Sequence, residues 1–427
     1  MTTTGATSET TPGNATPGEA VPGETVGEIL QRAIQCHQAS RWREAERLYR
    51  DVLAVAPDHV DALHLLGLLD LQNGRAEAAM QRIGAAIASI QAAGLAPAAS
   101  HAALHLNLGN AQQAAGQRAP AIASYRRALT LDPASADAYS NLGNVLTQQL
   151  DYHAAIASYQ LALRLRPAFP EALFNLGNAH AALGEPEAAI VQYREALQQR
   201  PDYAAALNNL ANTLQSMGRL EEAMAASEAA VRIDSSSAAL LVNLGTTLRR
   251  LGRLDDAIAR YGQALALDPD DPEAHYNLAN AHYARGDWDD AAASYARAAA
   301  LKPDFAAVHF NLGKLLAERD DPLAAIACYR RAIAVESTMA AALFNLANLL
   351  QDQGQLDDAL ATWQRLLALD PDHAEAHAGL GNGLHALGRL DDALAAYRRR
   401  WPSSPAWPRR ITTWPTCCRT PARSPNP

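Results

Sequence analysis

Asparagine stands in two rows along this chain, and its side chain can hold a polypeptide without reading its sequence. The first row is Asn107, Asn141, Asn175, Asn209, Asn243, Asn277, Asn311 and Asn345, each 34 residues after the last. The second row is Asn110, Asn144, Asn178, Asn212, Asn280, Asn348 and Asn382, with Thr246 and Lys314 standing in it. Members of the two rows are three residues apart, which puts them on one face of a helix. An amide side chain offers two donors and an acceptor. It can therefore pair with any peptide unit, whatever side chain that unit carries. Phe174, Tyr276, Phe310 and Phe344 each precede an Asn of the first row and are candidates to receive apolar side chains of such a ligand. A second explanation is structural: the amides bond neighbouring backbone between repeats.

Other chemistries find little support. His105, His180, His275, His282, His309 and His377 recur at helical spacing, and His275 and His282 lie two turns apart, but their positions face a helix interface, so packed histidine is expected rather than a metal site. The Asp pairs, such as Asp255-Asp256 and Asp391-Asp392, open helices, where acids favour the helix dipole. No Ser/His/Asp set, phosphate loop or carboxylate pair stands out, so no enzyme activity, metal or cofactor is expected. Cys36, Cys328, Cys417 and Cys418 form neither a disulfide framework nor a zinc spacing. They suit a reducing, cytoplasmic compartment.

Charge narrows the partners. The net charge is −9, yet seven of the 36 basic residues and none of the acidic ones lie in residues 398–427. The rest is an acidic surface with scattered Arg, and Lys302 and Lys314 are its two lysines. Phosphate contacts need clustered positive charge, so nucleic acid is not an expected partner. No apolar run of membrane-spanning length and no secretory leader pattern is visible, so no membrane association is expected.

The elements that position the amides follow from the same period. Number each repeat so that the small residue after Leu is position 8: Gly109, Gly143, Gly177, Ala211, Gly245, Ala279, Gly313, Ala347 and Gly381. The Asn rows then occupy positions 6 and 9. Position 15 is usually Gly, which fits the left-handed cap ending helix A. Position 20 is Ala in all eleven repeats, from Ala45 to Ala393. Position 24 is aromatic in nine, as at Tyr125, Tyr159 and Trp363. Position 32 is usually Pro, which stops helix B. Small residues at 8, 20 and 27 allow two helix axes to approach closely, and the large residue at 24 fills the gap between neighbours. Repeats of this length bury their apolar faces only by stacking. The predicted fold is all-α, a solenoid of about eleven helix hairpins.

These residues resemble the tetratricopeptide repeat (TPR) family over residues 26–399, with units starting at 26, 60, 102, 136, 170, 204, 238, 272, 306, 340 and 374. A surplus of eight residues falls near 94–101 and predicts a longer helix B or a loop. Unit 6 departs from the pattern, with Ser227 and Ser235 where Tyr and Pro are expected. The resemblance implies a right-handed superhelix whose inner, concave wall displays positions 6 and 9. It implies a scaffold that binds an extended polypeptide in an Asn-lined groove. Some members hold a C-terminal carboxylate with a cationic cluster, but position 2 here is acidic or Ala, and Lys314, Arg249 and Arg250 are the groove-side bases; no such clamp is expected. The NLGN and NLAN motifs, as at Asn141–Asn144 and Asn277–Asn280, also resemble the substrate-recruiting arm of protein O-linked N-acetylglucosamine transferase and its bacterial relatives. The alternative is thus a non-catalytic arm of such a glycosyltransferase.

The two ends differ from the array. Residues 1–25, rich in Thr, Pro and Gly, bury nothing and predict disorder. Residues 400–427 hold Trp401, Trp407, Trp414 and seven Pro, a composition that reads as translated out of frame. Shifting the frame by one nucleotide near codon 400 turns each Trp-Pro pair into Ala. With GC-rich codons chosen to fit, the tail becomes VALEPGLAAAHHNLANVLQD, which restores Pro at position 32 and Asn at positions 6 and 9 of a twelfth repeat. Without that repeat, unit 11 lacks a polar cap and is expected to self-associate. Sequencing the DNA across codons 395–420 should show one missing nucleotide; an intact frame there removes the idea.

Overall fold

The computed structural model describes residues 24–94 and 98–400, and every extended element in them is helical. The described residues divide into two compact bodies, one ending at Gly218 and the other beginning at Arg219. The first contains α1 (Val26–Gln38), α2 (Trp42–Val55), α3 (Val60–Gln72), α4 (Ala76–Ala92), α5 (Ala102–Ala114), α6 (Arg118–Leu131), α7 (Ala136–Gln148), α8 (Tyr152–Leu165), α9 (Pro170–Ala182), α10 (Pro186–Gln199) and α11 (Ala204–Ser216). The second contains α12 (Leu220–Ile233), α13 (Ala238–Arg250), α14 (Leu254–Leu267), α15 (Pro272–Arg285), α16 (Trp288–Leu301), α17 (Ala306–Glu318), α18 (Pro322–Val335), α19 (Ala340–Asp352), α20 (Leu356–Leu369), α21 (Ala374–Ala386) and α22 (Leu390–Arg400). These 22 helices match eleven hairpins. Within each body, consecutive helices pack on one another, each helix A on the helix B before it and, where both lie in one body, on its own helix B.

Sequence dictates the hairpin through its ends. Helix A stops where Gly at position 15 takes a positive φ, 76° at Gly184 and 75° at Gly218. Leu150 occupies the same position with φ 64°, a conformation that costs a β-carbon-bearing residue about 1 kcal/mol. Its side chain is 71% exposed, so nothing is gained from packing it. At the other end, Thr25 forms a capping box with Glu28 and opens α1. Thr25, the last residue of the N-terminal segment read from composition, is the residue that caps α1.

The core is a chain of small clusters rather than one centre. Every Ala at position 20 is fully buried, as at Ala155, Ala257 and Ala393. The position-24 aromatics beside them are buried as well, Trp363 and Tyr261 completely. Near the extra residues, α4 is 17 residues long where its counterpart α8 has 14, and a short 3-10 turn at Ala99–His101 leads into α5. The predicted out-of-frame tail lies outside the described residues from 401 onward, as does the N-terminal segment up to residue 23.

Ala257 has no exposed surface and lies where α13 and α14 come closest. Ala257→Leu should overpack that contact and lower stability by about 1–3 kcal/mol, read by urea or thermal unfolding. An unchanged transition would contradict this helix pairing.

Candidate functional site

The position-9 amides are held in place by tyrosine. In one repeat after another the position-24 ring crosses from helix B and its hydroxyl donates to the Asn carbonyl oxygen. The distances are 2.9 Å for Tyr125 to Asn110, 2.8 Å for Tyr159 to Asn144, 2.8 Å for Tyr193 to Asn178, 2.6 Å for Tyr295 to Asn280 and 2.6 Å for Tyr397 to Asn382. Burial pushes Tyr159 and Tyr193 up to about 12, against small opposing hydrogen bonds, so these phenols stay protonated donors at neutral pH. Thr246 takes the same bond from Tyr261 at 3.1 Å where Asn is missing.

The position-6 amides complete a ladder between repeats. Asn141 Nδ2 donates to Asn110 Oδ1 at 2.9 Å, Asn175 to Asn144 at 2.9 Å, Asn209 to Asn178 at 2.8 Å and Asn311 to Asn280 at 3.1 Å. At the first rung Asn107 bonds His64 instead, at 2.8 Å, and Asn110 Nδ2 reaches Asn107 Oδ1 at 3.4 Å. Asn345 Nδ2 lies 3.5 Å from Tyr329 Oη, since Lys314 holds the preceding position 9. The structural role weighed from sequence is therefore real, but its partners are side chains, not backbone.

Gaps in the ladder have physical causes. Asn277 follows Thr246, which has no carbonyl to offer it. Asn348 faces Trp363, whose indole N–H turns to Gln351 at 3.4 Å. The larger indole also extends under position 6 of the next repeat, where a β-carbon on Gly379 would collide with it; Asn is replaced by Gly there. Asn212, Asn277 and Asn348 make no side-chain hydrogen bond among the described residues, and Asn212 is exposed while the other two are half-buried. Asn243 is half-buried and bonded.

The position-5 aromatics are half-buried against rings at positions 24 and 34. Phe174 packs 5.0 Å from Tyr203, Tyr276 5.0 Å from Phe305, and Phe344 stacks 5.7 Å from His373; Phe310 lies 6.0 Å from Tyr329. Much of their surface thus goes to holding repeats together, with an edge left beside the Asn row.

Profiles described as TPR repeat match residues 109–150, 143–184, 245–284 and 279–319. Others described as tetratricopeptide repeat match 38–103 and 344–405, 170–203, 192–225 and 306–338. The chain belongs to the tetratricopeptide repeat family. Solved structures similar to it include MamA, 24% identical over 39% of this chain and 90% of its own, with a TM-score of 0.37. YrrB, described as a TPR protein with an unusual peptide-binding site, is 23% identical over 44% and 96%, with a TM-score of 0.37. The C-terminal part of a TPR repeat-containing protein from Cytophaga hutchinsonii is 16% identical over 58% and 99%, with a TM-score of 0.48. No curated protein matches.

Three of the four position-4 histidines of this tetratricopeptide array bond to backbone. His275, His309 and His377 place Nε2 at 2.9, 2.8 and 2.8 Å from the carbonyls of Pro269, Pro303 and Pro371, one repeat back. At position 11, His180 and His282 pair with Glu185 and Asp287 at 2.6 and 3.3 Å. His282, Asp287 and Asp290 have ligand atoms within 4.8 Å of one another, but the Arg285 guanidinium also sits on Asp287 and supplies the positive charge a cation would bring. Lys314 lies 5.1 Å over the Tyr283 ring, whose hydroxyl donates to Glu318 at 2.6 Å. No helix among the described residues is long and apolar enough to cross a membrane.

The tyrosine hydroxyls are what sequence reasoning missed. It took position 24 as a space filler. The available signal was the absence of Phe there, since a buried Tyr needs a partner for its O–H.

Tyr159→Phe should cost about 1 kcal/mol. Asn144→Ala should cost about 2 kcal/mol, because it strands both the Tyr159 hydroxyl and the Asn175 amide. Urea unfolding of the two single variants and the double should give a coupling of at least about 0.5 kcal/mol. Strict additivity would show that the rung contributes nothing.

Proposed function

We propose that this protein is an interaction scaffold whose Asn ladders grip extended polypeptide by its main chain, in a groove formed by helix A faces. One observation carries the reading. In Asn144, Asn178 and Asn280 the carbonyl oxygen is taken twice, by Tyr and by the next Asn, while Nδ2 donates to nothing among the described residues. The ladder therefore fixes which way each amide points. A row of N–H donors is left facing outward, already oriented, so a ligand's carbonyls would bind without the cost of freezing those side chains. Asn212, Asn277 and Asn348, which have neither rung, add amides that can turn to either end. Beside them the accessible edges of Phe174, Tyr276, Phe310 and Phe344 would take apolar side chains. The remaining position-6 residues and Asn110, Asn243 and Asn382 belong to the same face.

A second reading, the substrate-recruiting arm of a glycosyltransferase, rests on the NLGN and NLAN motifs. It would use the same donor row on a substrate polypeptide.

Substituting Asp for Asn separates binding from folding, because the carboxylate keeps the acceptor that Tyr and the neighbouring Asn require and removes the outward donor. On an array of unrelated extended peptides, the Asn144→Asp/Asn178→Asp/Asn280→Asp variant should lose binding by about tenfold or more across all sequences bound by wild type, with its helical content intact. Equal binding by a folded variant would reject the donor row.

A further inference from the structure

We infer that the pocket between α4, α5 and α6, at the site of the insertion, binds a small monocarboxylate bearing a short apolar group. His101, His105 and Arg127 form its rim, and Ile90, Leu104 and Leu131 form its floor. No acidic side chain among the described residues lines it. Three basic groups thus converge over an apolar base in a protein whose net charge is −9.

The insertion creates this arrangement. In the repeats of His275, His309 and His377, a Pro carbonyl one repeat back occupies the imidazole. Six residues before His105 stands Ala99, in the 3-10 turn, while α4 runs past Gln91, the residue in register with those prolines, to Ala92. His105 has no such carbonyl among the described residues and is left facing the pocket. His101 enters from the 3-10 turn that the extra residues form. The groove in the same register between α8, α9 and α10 is different in kind: there Glu195 stands with Arg164 and His180 and offsets their charge. Between α16, α17 and α18, His309 is already committed to Pro303.

Size and charge set the ligand class. The cavity is about 50 Å³, several times the roughly 10–15 Å³ that one water needs. That admits a carboxylate and a few carbons. The apolar floor favours an organic acid over an inorganic anion. Burial, then the charges of Arg127 and His101, hold His105 below the ordinary imidazole range; a bound carboxylate reverses the last two effects and favours the imidazolium. α4 contributes no charged group to the pocket, so affinity should rise as pH falls from about 7.5 to about 5.5.

The test is NMR titration of the His101 and His105 ring signals in the full chain, with butyrate, butyramide and phosphate as probes. Butyrate should raise both titration midpoints, and Arg127→Gln and His105→Gln should each weaken it about tenfold. Arg127 is exposed, so its replacement leaves the fold in place, as unchanged helical circular dichroism would verify. Butyramide should leave both midpoints where they are. No response to butyrate, an equal response to butyramide, or undiminished binding by Arg127→Gln would overturn the site. Phosphate binding as tight as butyrate would overturn the apolar part of the assignment.

Discussion

A tyrosine ring lying flat against a residue with no side chain sets the geometry of this protein. An added β-carbon would come within 2.6 Å of the ring at Gly109, Gly143 and Gly177, and 2.7 Å at Gly245. The ring of helix B therefore packs directly on the backbone of helix A. That closeness explains why position 8 is Gly or Ala and why position 20 is Ala throughout. Ala279 shows the tolerance of the contact: with one methyl group present, Tyr295 still reaches Asn280 at 2.6 Å.

The same ring delivers a hydroxyl to the far side of helix A, and the polar ladder depends on it. Apolar packing positions the ring; the ring positions the amide; the amide receives the next repeat. Each link is a short-range contact, so the arrangement can propagate along the chain without any central core. It also fails locally. Thr246, Lys314 and Trp363 each interrupt it, and the effect stops at the adjoining rung. The pairing of Trp363 with Gly379 shows how such a change is accommodated: a larger ring displaces the amide it would have overlapped.

On the proposed reading, the amides have two roles with one geometry. A hydrogen bond to Asn Oδ1 leaves Nδ2 aimed away, so the structural bond and the available donor are opposite ends of one planar group. Sequence alone could weigh these roles only as rivals. The ion pairs of the surface, such as Arg166 with Asp137 at 2.7 Å, are exposed and add little to stability. They engage many of the scattered Arg, whereas the pocket of His101, His105 and Arg127 holds no acid among the described residues.

What the sequence determined by itself was what repeats: the period, the hairpin, the cap at position 15 and the small positions. Eleven copies of one pattern reveal which positions must be small, large or kinked, because the local sterics are the same each time. Tertiary structure decided which atoms of those residues meet. Whether Tyr spends its hydroxyl on Asn, which end of an amide faces outward, and what an imidazole does once its proline carbonyl is gone all depend on the distance between elements about thirty residues apart. Residue type and spacing do not specify such distances; packing does.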